Sequence, residues 1–488
     1  MIGPWHNALE GALAVLYAVA AMVVVSAVAL LLLDAGSLGS LWSLTMTLTA
    51  MAVGASANAG AADAGDSGGM GGLGALFGGG GGMAPSMSGA ADAVPLGVTL
   101  VGAVVLWIVF SRRLRQGQQR RLTGSDLAAR AAGAGAAAMF LLMIVAGFAH
   151  GTITLPEGAM SGAGGEESGA AGGLGELMGG GGMGEMSAAP YQVSAVAAGF
   201  GAVLWVAAAL GVGCLISRKV RLPLGGTLDR LRSTWGPSLS AVVRMVLVMA
   251  AVPLAALVFV GVAVGGRVGS VAGGALLVAP NVLVVLLTLG IGSSWTAEMH
   301  PVTTDSSSSN PLAGLMGGSG GMGGMGGMMG GDMTDRTEHL SALSAGGLLV
   351  WLLAITVTGL ILLIPAYRAA RATQSAQKVP MLPYRGPLAG HLGMAERFGI
   401  VTAVFLGVAT WLVGASGDFG VGMFGSTMGG MQAALSGNLL STLFFGLIVG
   451  ALAGFAGSLL ATWRGDRGPG ARRWWSLVTL GRGDRAAQ

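Results

Sequence analysis

Along most of this chain, apolar residues run for about twenty positions at a time, separated by polar or glycine-rich stretches. A helix of roughly 20 apolar residues spans the hydrocarbon core of a bilayer. Eight runs are clear, at about 10–33, 95–111, 131–150, 191–217, 240–264, 343–367, 398–414 and 438–462. Two others are shorter or interrupted: 39–54 (GSLWSLTMTLTAMAVG) and 272–292 (AGGALLVAPNVLVVLLTLGIG). In the second, Ala-Pro-Asn at 279–281 is expected to interrupt a helix, because proline removes a backbone donor and crowds the preceding turn. Gly290 and Gly292 are expected to close that segment. The first run is too long for a signal-peptide core and has no basic segment before it, so it reads as an uncleaved first span. The pattern predicts an all-α, polytopic transmembrane helix bundle.

Positive charge assigns the sides. Arg112, Arg113, Arg115, Arg120, Arg121 and Arg130 lie between the second and third clear runs. Further clusters occupy 218–232, 368–397 and 464–485. By the positive-inside rule all four are cytoplasmic, and the acid-bearing loops with Asp63, Glu157, Asp305 and Glu338 face outward. A multi-pass plasma-membrane protein with both termini in the cytoplasm is expected. Between Arg232 and Arg368 the number of crossings must then be even, yet three apolar segments lie there. The expected resolution is that 272–292 enters and leaves on the outer side. Such backbone is tolerated at membrane depth when protein shields it.

The same plan is legible in both halves. It predicts two parallel, pseudo-symmetric membrane repeats totalling eight crossings plus two outer re-entrant or interfacial segments, 39–54 and 272–292. The first repeat, 1–236, carries Gly-rich outer loops at 55–94 and 151–190. The second, 237–488, carries Gly/Met-rich outer loops at 293–342 and 415–437. Inverted repeats of five crossings each would put the last two basic clusters outside, and are set aside.

Composition changes the picture most in those loops, in a chain of 488 residues with 90 glycines and 27 methionines. They read GGMGGLGALFGGGGGM (68–83), GGLGELMGGGGMGEM (172–186), GGMGGMGGMMGGDM (320–333) and GMFGSTMGGM (422–431). Apolar side chains stand where the serines of an ordinary flexible linker would be. A low-complexity linker lying on lipid headgroups is one reading. A second is copper capture by thioether sulfur, with Met322, Met325 and Met328 at M-x-x-M spacing, His300 and His339 flanking, and M-x-x-x-M pairs at Met139/Met143 and Met245/Met249. Against it, only one loop holds a regular Met run, and no Cys-Pro-Cys occurs.

The favoured reading is recognition of an extracellular protein. A G-G-M triplet aligns its methionines along one edge of an extended three-residue helix, methionine adapts to irregular partners, and clustered exposed apolar groups mark interaction sites. The candidate partner-binding residues are Met70, Leu73, Leu76, Phe77 and Met83 in the first loop, and Leu174, Leu177, Met178, Met183 and Met186 in the second. The third contributes Met316, Met322, Met325, Met328, Met329 and Met333, and the fourth Phe419, Met423, Phe424 and Met428.

Catalytic chemistry is not legible. The five histidines lack metal-ligand spacing, and no Walker sequence occurs. G-x-S-x-G appears at 65–69 and 317–321, inside glycine-rich loops and not on a strand-to-helix turn. No enzyme activity, resident metal or cofactor is expected, and the lone Cys214 forms no intramolecular disulfide. With only 9% charged residues, against about 25% in soluble domains, the spans offer few ionisable groups for coupled transport. Glu10 and Arg244 hold similar places near the inner end of each half's first span, where opposite charges can pair. A small-molecule transporter is nonetheless the main alternative, and a cavity lined by 272–292 would be its best sign. The inner basic clusters are expected to touch anionic membrane lipid, and no nucleic-acid partner is expected.

Several of these features occur together in a known group. The Ala/Val/Leu/Gly spans, the glycine-rich outer loops, basic inner turns such as SRRLRQGQQRR (111–121) and the segment AGGALLVAPNVLVVLLTLGIGSSW (272–295) resemble the streptophobe family of actinobacterial multi-pass membrane proteins. The resemblance covers essentially the whole chain and is one of architecture and composition. Related sequences tend to have a Gly-Pro-Gly-like turn where this chain reads Gly-Ile-Gly at 290–292. The resemblance implies no enzyme class. Its variable outer loops imply a surface read from outside the cell, for instance by a secreted protein or a competitor's toxin.

Overall fold

A computed structural model describes residues 4–37, 39–60, 86–117, 123–154, 188–217, 226–264, 266–301, 336–376, 387–423 and 426–465. In chain order the helices are α1 Pro4–Leu32, α2 Leu41–Met51, α3 Leu96–Gly117, α4 Gly124–Gly147, α5 Ala195–Ile216, α6 Gly226–Val264, α7 Gly266–Ile291, α8 Ala342–Ala376, α9 Pro387–Val413 and α10 Leu439–Gly465. The strands are β1 Ala57–Ala59, β2 Ser86–Ala93, β3 His150–Thr154, β4 Ala188–Val193, β5 Trp295–Pro301, β6 Arg336–Leu340, β7 Ala415–Met423 and β8 Ser426–Gly437. Every clear apolar run is a helix, and among the described residues nine helices are long and apolar enough to cross a membrane, α2 being the short one. The chain is a multi-pass, helix-bundle membrane protein.

Glycine lets the helices approach closely. A Cβ on Gly11 of α1 would overlap the Arg130 carbonyl of α4, and one on Gly133 of α4 would overlap the backbone of Ala8. On α9 and α10, Gly399, Gly450 and Gly454 are pressed against the facing helix in the same way. Where apolar contact with lipid is as favourable as contact with a neighbour, such close backbone packing is what holds spans together. Buried side chains form one large cluster among α1 to α5 that also takes in Leu276 and Leu277 of α7, a second among α6 to α10, and a small third around Trp295, Val284 and Val413.

The segment 272–292 departs from expectation. Ala-Pro-Asn does not break it, because α7 runs through Pro280 without interruption for 26 residues. Pro280 cannot donate to the Leu276 carbonyl four residues earlier, and that oxygen instead lies against Gly97 of α3, so close that a Cβ there would overlap it. Beside it, Asn281 Nδ2 donates to the Val94 carbonyl at 2.8 Å and its Oδ1 accepts from the Leu96 N–H at 3.0 Å. A neighbouring helix end thus occupies the place where the helix would otherwise open, as tolerated prolines in membrane helices require.

The contacts of α7 also settle its direction. Gly273 meets the end of α1 at Ala29 and Leu33, Leu276 meets the start of α3, and Ser293 just beyond α7 bonds Thr442 at the start of α10 at 2.7 Å. Val284 shares a core cluster with Ala409 and Val413 at the end of α9. All of these are the helix ends that lead to or from strands. Although long enough to span, α7 lies across that end of the bundle, which resolves the odd count of apolar segments.

Both α2 and α7 then reverse through the same cap. In α2 the Gly54 N–H donates to Met51 and the Ala55 N–H to Ala50; in α7 the Gly292 N–H donates to Leu289 and the Ser293 N–H to Thr288. Gly54 and Gly292 have φ of +91° and +102°. This is the Schellman arrangement, in which glycine supplies the left-handed residue. From each cap the chain runs directly into a strand, β1 or β5.

The strands were not expected from the sequence. They form one antiparallel sheet in the order β3-β4-β1-β2-β7-β8-β5-β6. Numbered within each half, the two sets of four follow the same order, 3-4-1-2 then 3-4-1-2. The halves meet along β2 and β7, paired from Ser86↔Gly422 to Ala93↔Ala415.

Candidate docking surface on the sheet

Each strand abuts a helix end, so the sheet stands on one end of the bundle. Trp295, fully buried, anchors it by donating from Nε1 to Thr288 Oγ1 at 2.9 Å. In the first half Tyr191 of β4 donates to Ser43 Oγ of α2 at 2.8 Å. These bonds tie both halves of the sheet to the two capped helices.

Register then separates the sheet into two faces, because residues paired across strands point to the same side. One row runs His150, Gln192, Asn58, Ala90, Asp418, Gln432, His300 across seven strands. The adjacent row on the opposite face runs Gly151, Tyr191, Ala59, Gly89, Phe419, Met431, Pro301. One face is polar; the other is built from Ala, Gly and apolar residues across β3 to β5 and ends on β6 in Arg336 and Glu338, which stand opposite Met299 and Ala297. Near the bundle the apolar face is covered. Farther out it opens, with Met299, Phe419 and Met431 at 51%, 46% and 38% exposure.

The four hairpins all point the same way. Their strands alternate up and down through the sheet, so the connections between β1 and β2, β3 and β4, β5 and β6, and β7 and β8 all leave from the margin far from the bundle. At about 4.8 Å per strand these eight strands span roughly 34 Å. The outer margins are blunted: β6 is exposed throughout and carries Arg336 and Glu338, paired at 2.8 Å.

Of the residues expected to bind a partner, Phe419 is described, and it stands exposed on the apolar face. Met423 and Met428 fall on β7 and β8, with their side chains outside the described set. Phe424 lies outside the described residues, as do Met70, Leu73, Leu76, Phe77, Met83, Leu174, Leu177, Met178, Met183, Met186, Met316, Met322, Met325, Met328, Met329 and Met333. Met299 and Met431 share the apolar face and were missed. For Met299 the signal was the alternation in WTAEMHP, apolar and polar in turn, which is the pattern of a half-covered strand; Met431, in STMGGMQAALSG, had no such alternation around it.

Of the elements invoked for copper, Met322, Met325 and Met328 lie outside the described residues, and the described histidines do not converge. His339 pairs with Thr296, whereas His300 stands four residues farther along β5, about 13 Å at strand spacing. Among the described residues no three His, Cys, Asp or Glu side chains group as metal ligands. Met139 and Met143 both pack on Gly199, while Met245 and Met249 line a cleft elsewhere. That cleft, of about 750 Å³ between α6 and α8, and a groove of about 760 Å³ between α4 and α5, have no lining residue from 272–292.

The end opposite the sheet carries most of the described arginines. Arg112, Arg113, Arg130, Arg230, Arg232, Arg368, Arg371 and Arg464 lie toward helix ends that, among the described residues, no strand joins. Glu10 does not pair with Arg244: its carboxylate lies 2.7 Å from Nη2 of buried Arg130. Arg130 Nε and Nη2 also donate to Asn7 Oδ1 at 3.2 and 3.1 Å, and Asn7 donates on to Asp126 at 2.9 Å. This joins α1 to α4 where Gly11 and Gly133 already bring them together. Comparison with family models, curated proteins and solved structures finds no match to this chain.

Proposed function

We propose that this membrane protein uses its sheet as an outward platform, presenting the Gly/Met-rich hairpin tips and the apolar sheet face to an extracellular protein. The observation that carries this reading is the single eight-stranded sheet, from whose far margin all four glycine-rich connections leave. Four loops spread through the sequence thereby leave the sheet along one margin. The exposed Met299, Phe419 and Met431 add apolar surface on the strands. The basic clusters at the opposite end support a cytoplasmic position for that end and for both termini, and hence an outward sheet. The shared strand order supports two parallel repeats at 1–236 and 237–488. The resemblance to the streptophobe family is consistent with a surface read by a secreted protein, such as a competitor's toxin.

The test is capture of secreted actinobacterial proteins on cells displaying the full chain, beside a variant with Met322, Met325, Met328, Met329 and Met333 changed to serine. A partner held by the intact chain and lost at least tenfold by the variant is the expected outcome. A partner equally retained after these changes and after Phe419→Ser with Met431→Ser would remove the apolar surface from its interface.

A further inference from the structure

The cleft between α6 and α8, closed on one side by Trp107 of α3 and by Ile216 and Ser217 at the end of α5, lies toward the arginine-bearing end, away from the sheet. Its walls are apolar, with Val248, Met249, Ile361 and Ile364, and its volume of about 750 Å³ is that of a ligand site. Two cations line it, Arg244 from α6 and Arg368 from α8, both exposed. Neither makes an ion pair with an acidic side chain among the described residues. A cation on a membrane helix is costly without a counter-charge and is found pairing or facing polar surroundings. Placing two of them on one apolar cleft suits a ligand with an anionic head and a hydrocarbon body. Val248 at 57% and Ile364 at 59% exposure leave the apolar wall open sideways, toward the place lipid chains would occupy.

The geometry points to a binding site for an anionic phospholipid, its phosphate between Arg244 and Arg368 and one acyl chain along Val248, Met249, Ile361 and Ile364. Guanidinium groups are suited to this, since they hold phosphate oxygens through paired N–H bonds. Basic pockets between spans on the cytoplasmic side bind anionic headgroups in the same manner. The site is independent of the docking role proposed for the sheet.

The test is native mass spectrometry of the full chain in neutral detergent, titrated with dioleoyl phosphatidylglycerol or dioleoyl phosphatidylcholine. Phosphatidylglycerol is expected to stay bound, and Arg244→Gln with Arg368→Gln to weaken it roughly tenfold or more. The same charge removed at Arg112 and Arg113, which do not line the cleft, should leave binding unchanged. Val248→Trp fills the cleft from an exposed position and should also displace the lipid. Equal retention of phosphatidylcholine, or binding indifferent to both Arg244→Gln/Arg368→Gln and Val248→Trp, would overturn the site. Full displacement by millimolar inorganic phosphate would make it a site for free phosphate and overturn the lipid claim.

Discussion

At Gly54 the chain takes φ of +91° with nothing within 4 Å of where a Cβ would stand. Its counterpart Gly292, at φ +102°, would place a Cβ 3.2 Å from Trp351 Nε1 and 3.6 Å from Phe445. The pair therefore separates backbone conformation from crowding. Gly54→Ala should cost about 1 kcal/mol, the penalty of a left-handed residue alone, and Gly292→Ala more. Thermal unfolding of the two variants in one detergent would check this, and an equal loss would show that the neighbours of Gly292 yield freely. Both glycines ended their apolar segments in sequence. That their caps are the same was not legible, because it rests on which amide reaches which carbonyl. The partner of Glu10 was illegible for a related reason: Arg130 stands 120 positions along the chain, and linear charge order carries no distance.

Among the elements, the membrane helices were legible and the strands were not. A long apolar run declares itself whatever its neighbours do, since lipid demands that its backbone bond internally. Strands such as SMSGAADA, AAPYQV and STMGGMQAALSG hold few of the β-branched and aromatic residues that favour sheets. Here pairing across the sheet holds them extended, with glycine and alanine admitting close neighbours. The helix α7 marks the limit of local reasoning from the other side. Proline predicts a break there unless something occupies the opened turn, and Gly97 with Asn281 does so. Asn281→Ala should remove both bonds to the chain before α3 and leave a partly buried carbonyl and amide unpaired, costing about 1–3 kcal/mol. A thermal midpoint unchanged by that substitution would mean that α7 is held by apolar packing alone.

Across the whole molecule, two halves with the same strand order share one sheet, two Schellman-capped helices hang beneath it, and most of the described arginines gather at the far end. Charge along the sequence was enough to expect the two ends, and the uneven count of apolar segments was enough to expect one that does not cross. That four separated loops leave one margin was beyond it, because that depends on β2 pairing with β7 across more than 300 positions. The most direct measurement uses the full chain with Cys214→Ser, Ala90→Cys and Asp418→Cys, and a protease site placed between residues 218 and 225. Ala90 and Asp418 are register partners across β2 and β7. Oxidation in intact cells, then cleavage and a non-reducing gel, should show the two halves held together by a disulfide. Prior treatment with a membrane-impermeant maleimide should abolish it. Halves that separate without that treatment, or a disulfide that forms despite it, would contradict a single outward sheet.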